Sequence, residues 1–572
     1  MKRRTTYLLH DANDGVDPKD LDVTRNSLTL FNVKAAKEER VTFALSELPR
    51  ELVSVLRQCH ELHVRWTSAR PYTSVAPFVS RVSPGLHVFF TPRSSTPTDL
   101  LCPLLKKLFS YDLKCHSPED TFTSLPILSE RFSTSASSQH YSLQPSSLHD
   151  LVVYIQQKIC PSLDHPCQDQ AASLLSATYL DVDFDSISHA LVLNAFWATS
   201  PDRSGAWTET IQLEGDNDTI EVGVLGNEKP TEPEELSLSG FLTVIGEDDR
   251  PGATLFSFPS RHHPAPHSPI FHTTFPLPTG LHPTLQLTFP SSRSLIPPAA
   301  SCALHTYLTL PAALFIDRYQ FSDALFLRAH GLIALRSFAG EGDLEAPEWV
   351  VQKWGSAALF ELAHPLPPDR TRDAATKRDA GNAKASAEDA WTVRIPLHAR
   401  YMSPTNGTGG TRDVAVPWPA VFWACDAADG LKMSVNPFDR ANLDYDGLFG
   451  PKTMFYHLAP ALDTSAPAGM AGMQGKLVEI VKVPVMDLAA RGAGYVELGT
   501  LVAVLAGFAW VLWKLVGVGW GGEGKERAAP VTSDTATATG TRTGSGSSTA
   551  PETAPASATR RKGHGEPGSL EG

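Results

Sequence analysis

Short apolar runs separated by Pro, Gly and Asp recur along most of the chain, and many alternate apolar and polar positions with the period of two expected of strands. Ser27–Phe31 and Val41–Leu45 read this way near the start. Ala190–Leu193, Leu285–Phe289 and Val478–Val483 repeat the signal much later. One helical signature interrupts the first block. Ser46 can cap, Pro49 stands early in the helix, and Leu52, Val55 and Leu56 share a face. Residues 1–115 therefore predict a small α+β module, and the Ser/Pro-rich stretch 116–170 predicts a linker. From 171 to 488 the regular runs and turn residues predict a β-sandwich, interrupted by a charged, apolar-poor and disordered insertion at 365–390. Val416–Cys425 is apolar on both alternating faces, so part of it predicts a buried strand with Trp423 and Cys425 on one side. The expected fold class is mostly β.

The pattern changes near the C-terminus. No charge interrupts Leu498–Trp513, and beyond Lys514 the apolar run continues to Trp520. As a helix, Leu498–Trp520 would span roughly 34 Å, enough for a hydrocarbon core about 30 Å thick. Lys514 can snorkel to the headgroups, and Tyr495, Trp510, Trp513 and Trp520 suit the interfaces, so 495–520 predicts a transmembrane helix. Gly499, Ala503 and Gly507 recur every four residues and form a candidate face for a docking helix. The tail 521–572, rich in Thr, Ser, Gly, Ala and Pro, is expected to be disordered and does not fit a GPI-attachment signal, which ends in its apolar stretch. The basic residues at the start meet Asp11, Asp14, Asp17 and Asp20 without an apolar core, so no cleavable signal peptide is expected. Flanking lysines and arginines balance across the helix. Two sequons, at Asn217 and Asn406, both precede it and favour a lumenal ectodomain.

Composition narrows the chemistry. A net charge of −13 with no concentrated basic stretch excludes a general nucleic-acid binder. The 45 prolines oppose long helices in the body of the chain. Seven scattered cysteines lack C-x-x-C or zinc spacing, and their odd number leaves one unpaired within the chain. Asp181-Val-Asp183 could hold a divalent cation, but Asp181, Asp183 and Asp185 alternate with Val182 and Phe184 as a strand with one solvated face would. His262, His263 and His267 stand among Pro264, Pro266 and Pro269, which reads as an exposed loop rather than a metal site. No G-x-S-x-G elbow or dinucleotide fingerprint occurs. No catalytic residue, metal, cofactor or small-molecule substrate is expected. Trp418, Phe422 and Trp423 read as core, and His398, Arg400 and Tyr401 as structural more than contact residues.

Taken in order and spacing, several segments are similar to one family. Cys302-Ala-Leu-His305-Thr-Tyr307-Leu-Thr-Leu-Pro311 leads to Phe315-Ile-Asp317-Arg318-Tyr319; Asp343–Pro347 and Trp354-Gly355 follow; then come Arg394–Tyr401 and Trp418-Pro419 through Trp423-Ala-Cys425. Together they resemble the PIG-X family over about residues 300 to 515, and the N-terminal block looks like the extension of its fungal members. The resemblance implies a glycosylated, single-pass protein of the endoplasmic reticulum membrane with a lumenal N-terminal ectodomain and a cytosolic tail. It implies a non-catalytic subunit that stabilises the catalytic subunit of GPI mannosyltransferase I, which adds the first mannose to the GPI precursor. A broader, chaperone-like role in maturing secretory proteins is the alternative. Within the matched motifs, an oxidising lumen would allow Cys302 to pair with Cys425.

Overall fold

The computed structural model describes residues 2–10, 18–93, 99–124, 138–161, 164–213, 219–230, 232–364, 390–407, 409–428, 433, 436–438, 444–462, 475–489 and 492–520. Strand Lys2–Leu9 carries the β-favouring run Thr5-Thr6-Tyr7-Leu8-Leu9. Its alternation divides it between two cores, Tyr7 and Leu9 facing one and Leu8 the other. A strand buried on both faces belongs inside a sheet. Accordingly Lys2–Leu9 runs antiparallel to Ala35–Ala44 on one side, with Thr5 opposite Glu39. On the other side it runs parallel to Thr219–Glu228, with Thr5 opposite Val222.

These strands are the middle of an eleven-stranded sheet. Beyond Thr219–Glu228 lie Glu235–Ile245 and the edge strand Gly252–Pro259. Beyond Ala35–Ala44 lie Ala190–Trp197, Tyr179–Asp185, Cys59–Thr67, Gly85–Pro92, Ser138–Ser142 and Thr123–Ser124. One face buries the apolar sides of helices Arg50–Leu56, Leu101–Leu108 and His149–Lys158, together with a three-stranded sheet of Leu21–Thr24, Ser27–Val33 and Trp207–Gln212. Disulfide Cys102–Cys115 closes the loop after helix Leu101–Leu108, and Cys160–Cys167 links the end of His149–Lys158 to helix His165–Ser173.

This arrangement differs from the expected division into a module at 1–115, a linker at 116–170 and a sandwich from 171. All three ranges contribute strands to the same sheet. The expected linker contains Ser138–Ser142, which hydrogen-bonds along Gly85–Pro92, helices Pro118–Thr121 and His149–Lys158, and the start of helix His165–Ser173. The Ser/Thr/Pro composition suggested a tether, but Ser117 caps a short helix and Gln139, His140 and Tyr141 fill buried strand positions.

The second half builds a six-stranded sheet in the order His262–Pro264, Thr453–His457, Ala420–Asp426, Ala303–Pro311, Gly355–Leu362 and Leu332–Gly340. One face of it (Leu304, Leu308, Trp423, Cys425) shares a core with a four-stranded sheet through Phe271, Leu285, Leu287, Val393 and Ile395. The pair Thr411–Pro417 and Val478–Pro484 adds Val416, Val481 and Val483 to that core. The opposite face meets the first half: Tyr307, Trp354, Phe422 and Phe455 cluster with Tyr141. Gly355 opens its strand at φ 151°, where a Cβ would overlap the Leu310 carbonyl oxygen, so the Trp354-Gly355 pair admits no side chain at its second position. The residues up to Val496 make one body.

The last described element is helix Ala493–Trp520. Its stretch Gly494–Gly517 is long and apolar enough to cross a membrane. The expected tail, 521–572, lies outside the described residues, as does the insertion except for its last residue, Ala390.

Candidate functional site

The matched motifs converge on the two central strands of the six-stranded sheet. Ala303–Pro311 and Ala420–Asp426 pair in antiparallel register, with Ala303 opposite Ala424, so the structure brings Cys302 and Cys425 together as a disulfide. Trp423 and Cys425 point into one core and Phe422 and Ala424 into the other, as the double-faced apolar pattern requires. Trp418 is also buried, and its Nε1–H donates to Glu479 Oε1 at 3.1 Å. Burial pushes the Glu479 carboxyl up to about 7, against the lowering effect of that donor. Three disulfides account for six of the seven cysteines. The seventh, Cys59, is buried, and desolvation raises its thiol to about 12.

Arg400 is 3% exposed and acts as a clamp. Its Nη1 donates to the carbonyls of Asp343 at 2.5 Å and Ala346 at 2.8 Å, and its guanidinium lies 4.6 Å from the Phe315 ring centroid. The loop so held pairs Glu348 N–H with the Tyr401 carbonyl at 2.8 Å and leaves Trp349, Val350 and Tyr401 exposed. His398 stacks on Phe315 and contacts His282, so it closes the same region.

Where the two halves meet, polar side chains from distant segments are sealed together. Asp444-Tyr445-Asp446 is buried throughout. Gln139 Nε2 donates to Asp444 Oδ1 at 2.7 Å, and His87 Nδ1 lies 3.4 Å from Asp444 Oδ2, too oblique to count as a hydrogen bond. His262 Nε2 donates to Asp446 Oδ2 at 3.1 Å, which leaves its Nδ1 to accept from His457 Nε2 at 2.9 Å. Burial holds His457 well below the ordinary histidine range, so the row is neutral at its far end. Tyr445 Oη donates to the Arg81 carbonyl at 3.0 Å, and burial with the nearby Asp446 and Asp444 charges raises its phenol well above the usual value. Most of these groups are spent on one another and on backbone, although Asp444 Oδ2, Asp446 Oδ1 and His457 Nδ1 are buried without a hydrogen bond. The arrangement joins the halves and presents no activated nucleophile.

The histidine cluster therefore corrects the sequence reading. His262 and His263 are 1% and 4% exposed, in a short strand parallel to Thr453–His457, rather than on an exposed loop; only His267 is exposed. Burial lowers His263 to about 4. The aspartates need a similar revision. Asp181 is 3% exposed and forms a bidentate pair with Arg65, whose Nη2 lies 2.6 Å from Oδ2, and Asp183 meets His63 at 2.7 Å. The alternation is that of a strand, but position 181 faces protein instead of water. Among the described residues, no group of three or more His, Cys, Asp or Glu could hold a metal ion.

Four further expected positions are exposed. Asn406 is exposed in the turn beside the Thr405–Asp487 bridge, whereas Asn217 lies outside the described residues. Gly499, Ala503 and Gly507 are exposed on the apolar helix, and nothing approaches within 4 Å of a Cβ built at either glycine. Sequence reasoning missed Arg65, Gln139, Asp444 and Asp446. Their partners lie 116 to 305 residues away, and no local pattern announces such contacts.

The PIG-X / PBN1 family model matches residues 278–516, which include the six-stranded sheet's central strands and most of the apolar helix. A protein from Emericella nidulans named Protein pbn1 is 48% identical over 532 residues, covering 90% of this chain and 95% of the relative. Protein pbn1 of Neurospora crassa is 41% identical, covering 91% and 95%. Protein PBN1 of Saccharomyces cerevisiae is 32% identical over 183 residues, 32% of this chain and 34% of the relative. The full-length similarity embraces the eleven-stranded sheet as well as the region of the family model, and the chain belongs to the PIG-X / PBN1 family.

Proposed function

We propose that this chain is a non-catalytic membrane subunit of the endoplasmic reticulum, which stabilises the catalytic subunit of GPI mannosyltransferase I and thereby supports addition of the first mannose to the GPI precursor. The observation that carries this reading is the family match across both the disulfide-tied sheet and the apolar helix, 278–516. The buried polar groups support it, because they are consumed in holding the body together. Six cysteines in three disulfides support a lumenal body, since such bonds persist in oxidising compartments. The exposed Asn406 favours the same side, with glycans expected at Asn406 and Asn217 and the tail in the cytosol. Arg400 and the loop bearing exposed Trp349 and Val350 supply an ordered surface for the partner, and the face of Gly499, Ala503 and Gly507 supplies a helix contact.

A subunit that binds only the folded form of its partner raises the partner's abundance by mass action. Depletion of this protein should lower the catalytic subunit's level and make unmannosylated GPI precursor accumulate. Unchanged partner abundance together with unchanged precursors would refute the role.

A further inference from the structure

Between the two halves, with His457 of the buried row in its wall, lies an open cleft of about 920 Å³. Its walls come from the Ser68–Ser74 segment, the turns at Ser146-Ser147 and Ser176–Thr178, residues Ala198–Pro201, and Pro264 to Ala461 segments of the second half. The chain carries 62 acidic and 49 basic residues, yet among the described residues no Asp or Glu lines this cleft, while Arg70 and Arg81 do, with His457 neutral in its wall. Ten of the lining residues are Ser or Thr.

Four of the lining hydroxyls are prepared in one sense, whereas Ser176 Oγ already donates to the Ser173 carbonyl at 2.8 Å. Ser68 accepts from Arg70 N–H at 3.3 Å, Thr178 from Ala198 N–H at 3.0 Å, Ser200 from Asp202 N–H at 3.3 Å and Ser74 from Arg81 Nη2 at 3.2 Å. An oxygen that already accepts keeps its own proton to donate. Arg81 is fixed over the Tyr72 ring at 4.4 Å and by the Tyr72 carbonyl at 2.8 Å, and Arg70 is exposed at the rim. A donor-rich wall with guanidinium groups and no carboxylate complements an oxyanion that also bears hydroxyls. An unphosphorylated sugar is favoured by carboxylate or side-chain amide acceptors for its own hydroxyl protons, and no such side chain lines the cleft among the described residues.

The geometry points to a binding site for a phosphorylated polyol, a sugar phosphate either free or as the headgroup of a lipid. Its volume lies within the range of small-molecule clefts. This site is independent of the subunit role, since it requires no partner.

The test uses the full chain in detergent micelles, titrated calorimetrically with glucose 6-phosphate, inorganic phosphate and glucose. Glucose 6-phosphate should bind saturably, and the other two at least about tenfold more weakly, a difference of about 1.4 kcal/mol. Arg70→Glu, at an exposed position that leaves the fold intact, should weaken glucose 6-phosphate binding at least about fivefold. Thr178→Val should also weaken it; because the change removes the acceptor of the Ala198 N–H, melting should fall by about 1–3 °C, and binding is compared well below that transition. Flotation with phosphatidylinositol-containing vesicles, against phosphatidylcholine alone, separates the sources: Arg70-dependent flotation identifies a lipid headgroup, and binding of the soluble phosphate alone identifies a free sugar phosphate. Equal affinity for inorganic phosphate and glucose 6-phosphate, insensitivity of both probes to Arg70→Glu, or no binding of either probe would overturn the assignment.

Discussion

Glu479 offers a quantitative test of how the second half is packed. Its carboxyl sits beside Trp418, 7% exposed, in the strand that pairs with Thr411–Pro417. Burial raises it from 4.5 to about 7. The folded state therefore holds this proton more tightly than the unfolded chain. Below the unfolded value both states are protonated and the group contributes nothing. As pH rises through the interval up to about 7 the folded protein loses stability, and above it the whole penalty applies. The shift corresponds to about 3 kcal/mol. Glu479→Gln keeps an Oε1 acceptor for Trp418 Nε1–H and removes the charge. With an unfolding entropy of about 2.1 cal/mol/K per residue over roughly 450 residues, 3 kcal/mol corresponds to about 3 °C. The variant should melt about 2–3 °C above the wild type at about pH 8 and nearly with it at about pH 5. Burial lowers His140 and His263 to about 4, so their own loss of stability on acidification overlaps this range, but they are common to both proteins and cancel in the difference. The assay is thermal unfolding of both proteins across that range. A melting difference independent of pH would refute the assignment of the charge penalty to this carboxyl.

Replacing both Cys302 and Cys425 by Ser opens a cross-link between residues 123 apart, which on the chain-entropy view costs about 5 kcal/mol; limited proteolysis should show the body cleaved far faster than wild type. Arg65→Met strands the buried Asp181 charge and should cost about 3–5 kcal/mol in chemical denaturation, whereas Arg65→Met with Asp181→Leu should recover much of it. Bulky substitutions at Gly499, Ala503 and Gly507 should reduce co-purification of the proposed catalytic partner several-fold, with the chain still resistant to carbonate extraction. Retained co-purification in the triple variant would remove that face from the contact.

The mostly β character was legible because period-two runs such as Leu285–Phe289 need only local alternation to be recognised. The apolar helix was legible because nearly every position from 498 to 520 agrees. The partition of the chain was not, because the sheet is assembled by pairings such as Lys2–Leu9 with Thr219–Glu228, for which composition carries no signal. His262 and His263 misled for a related reason. Prolines nearby suggest an irregular backbone, but His262–Pro264 pairs as a short strand and is buried by a strand almost two hundred residues later. The motif residues fared better: Trp418, Phe422 and Trp423 are core, and Arg400 is a backbone clamp. Size and apolar character already favoured those positions.

The place of Lys2–Leu9 within the eleven-stranded sheet also sets a timetable. Its antiparallel neighbour emerges within a few dozen residues, but its parallel neighbour begins at Thr219. At synthesis rates of about 5–20 residues per second, one flank of this strand waits roughly 10–40 seconds for its partner. During that interval its unpaired N–H and C=O groups form an open edge beside apolar side chains, the kind of surface that general chaperones cover. Completion of the first half is thus postponed until more than two hundred residues have left the ribosome, so a slow codon or a stall before Glu228 would lengthen the exposure of a strand already made.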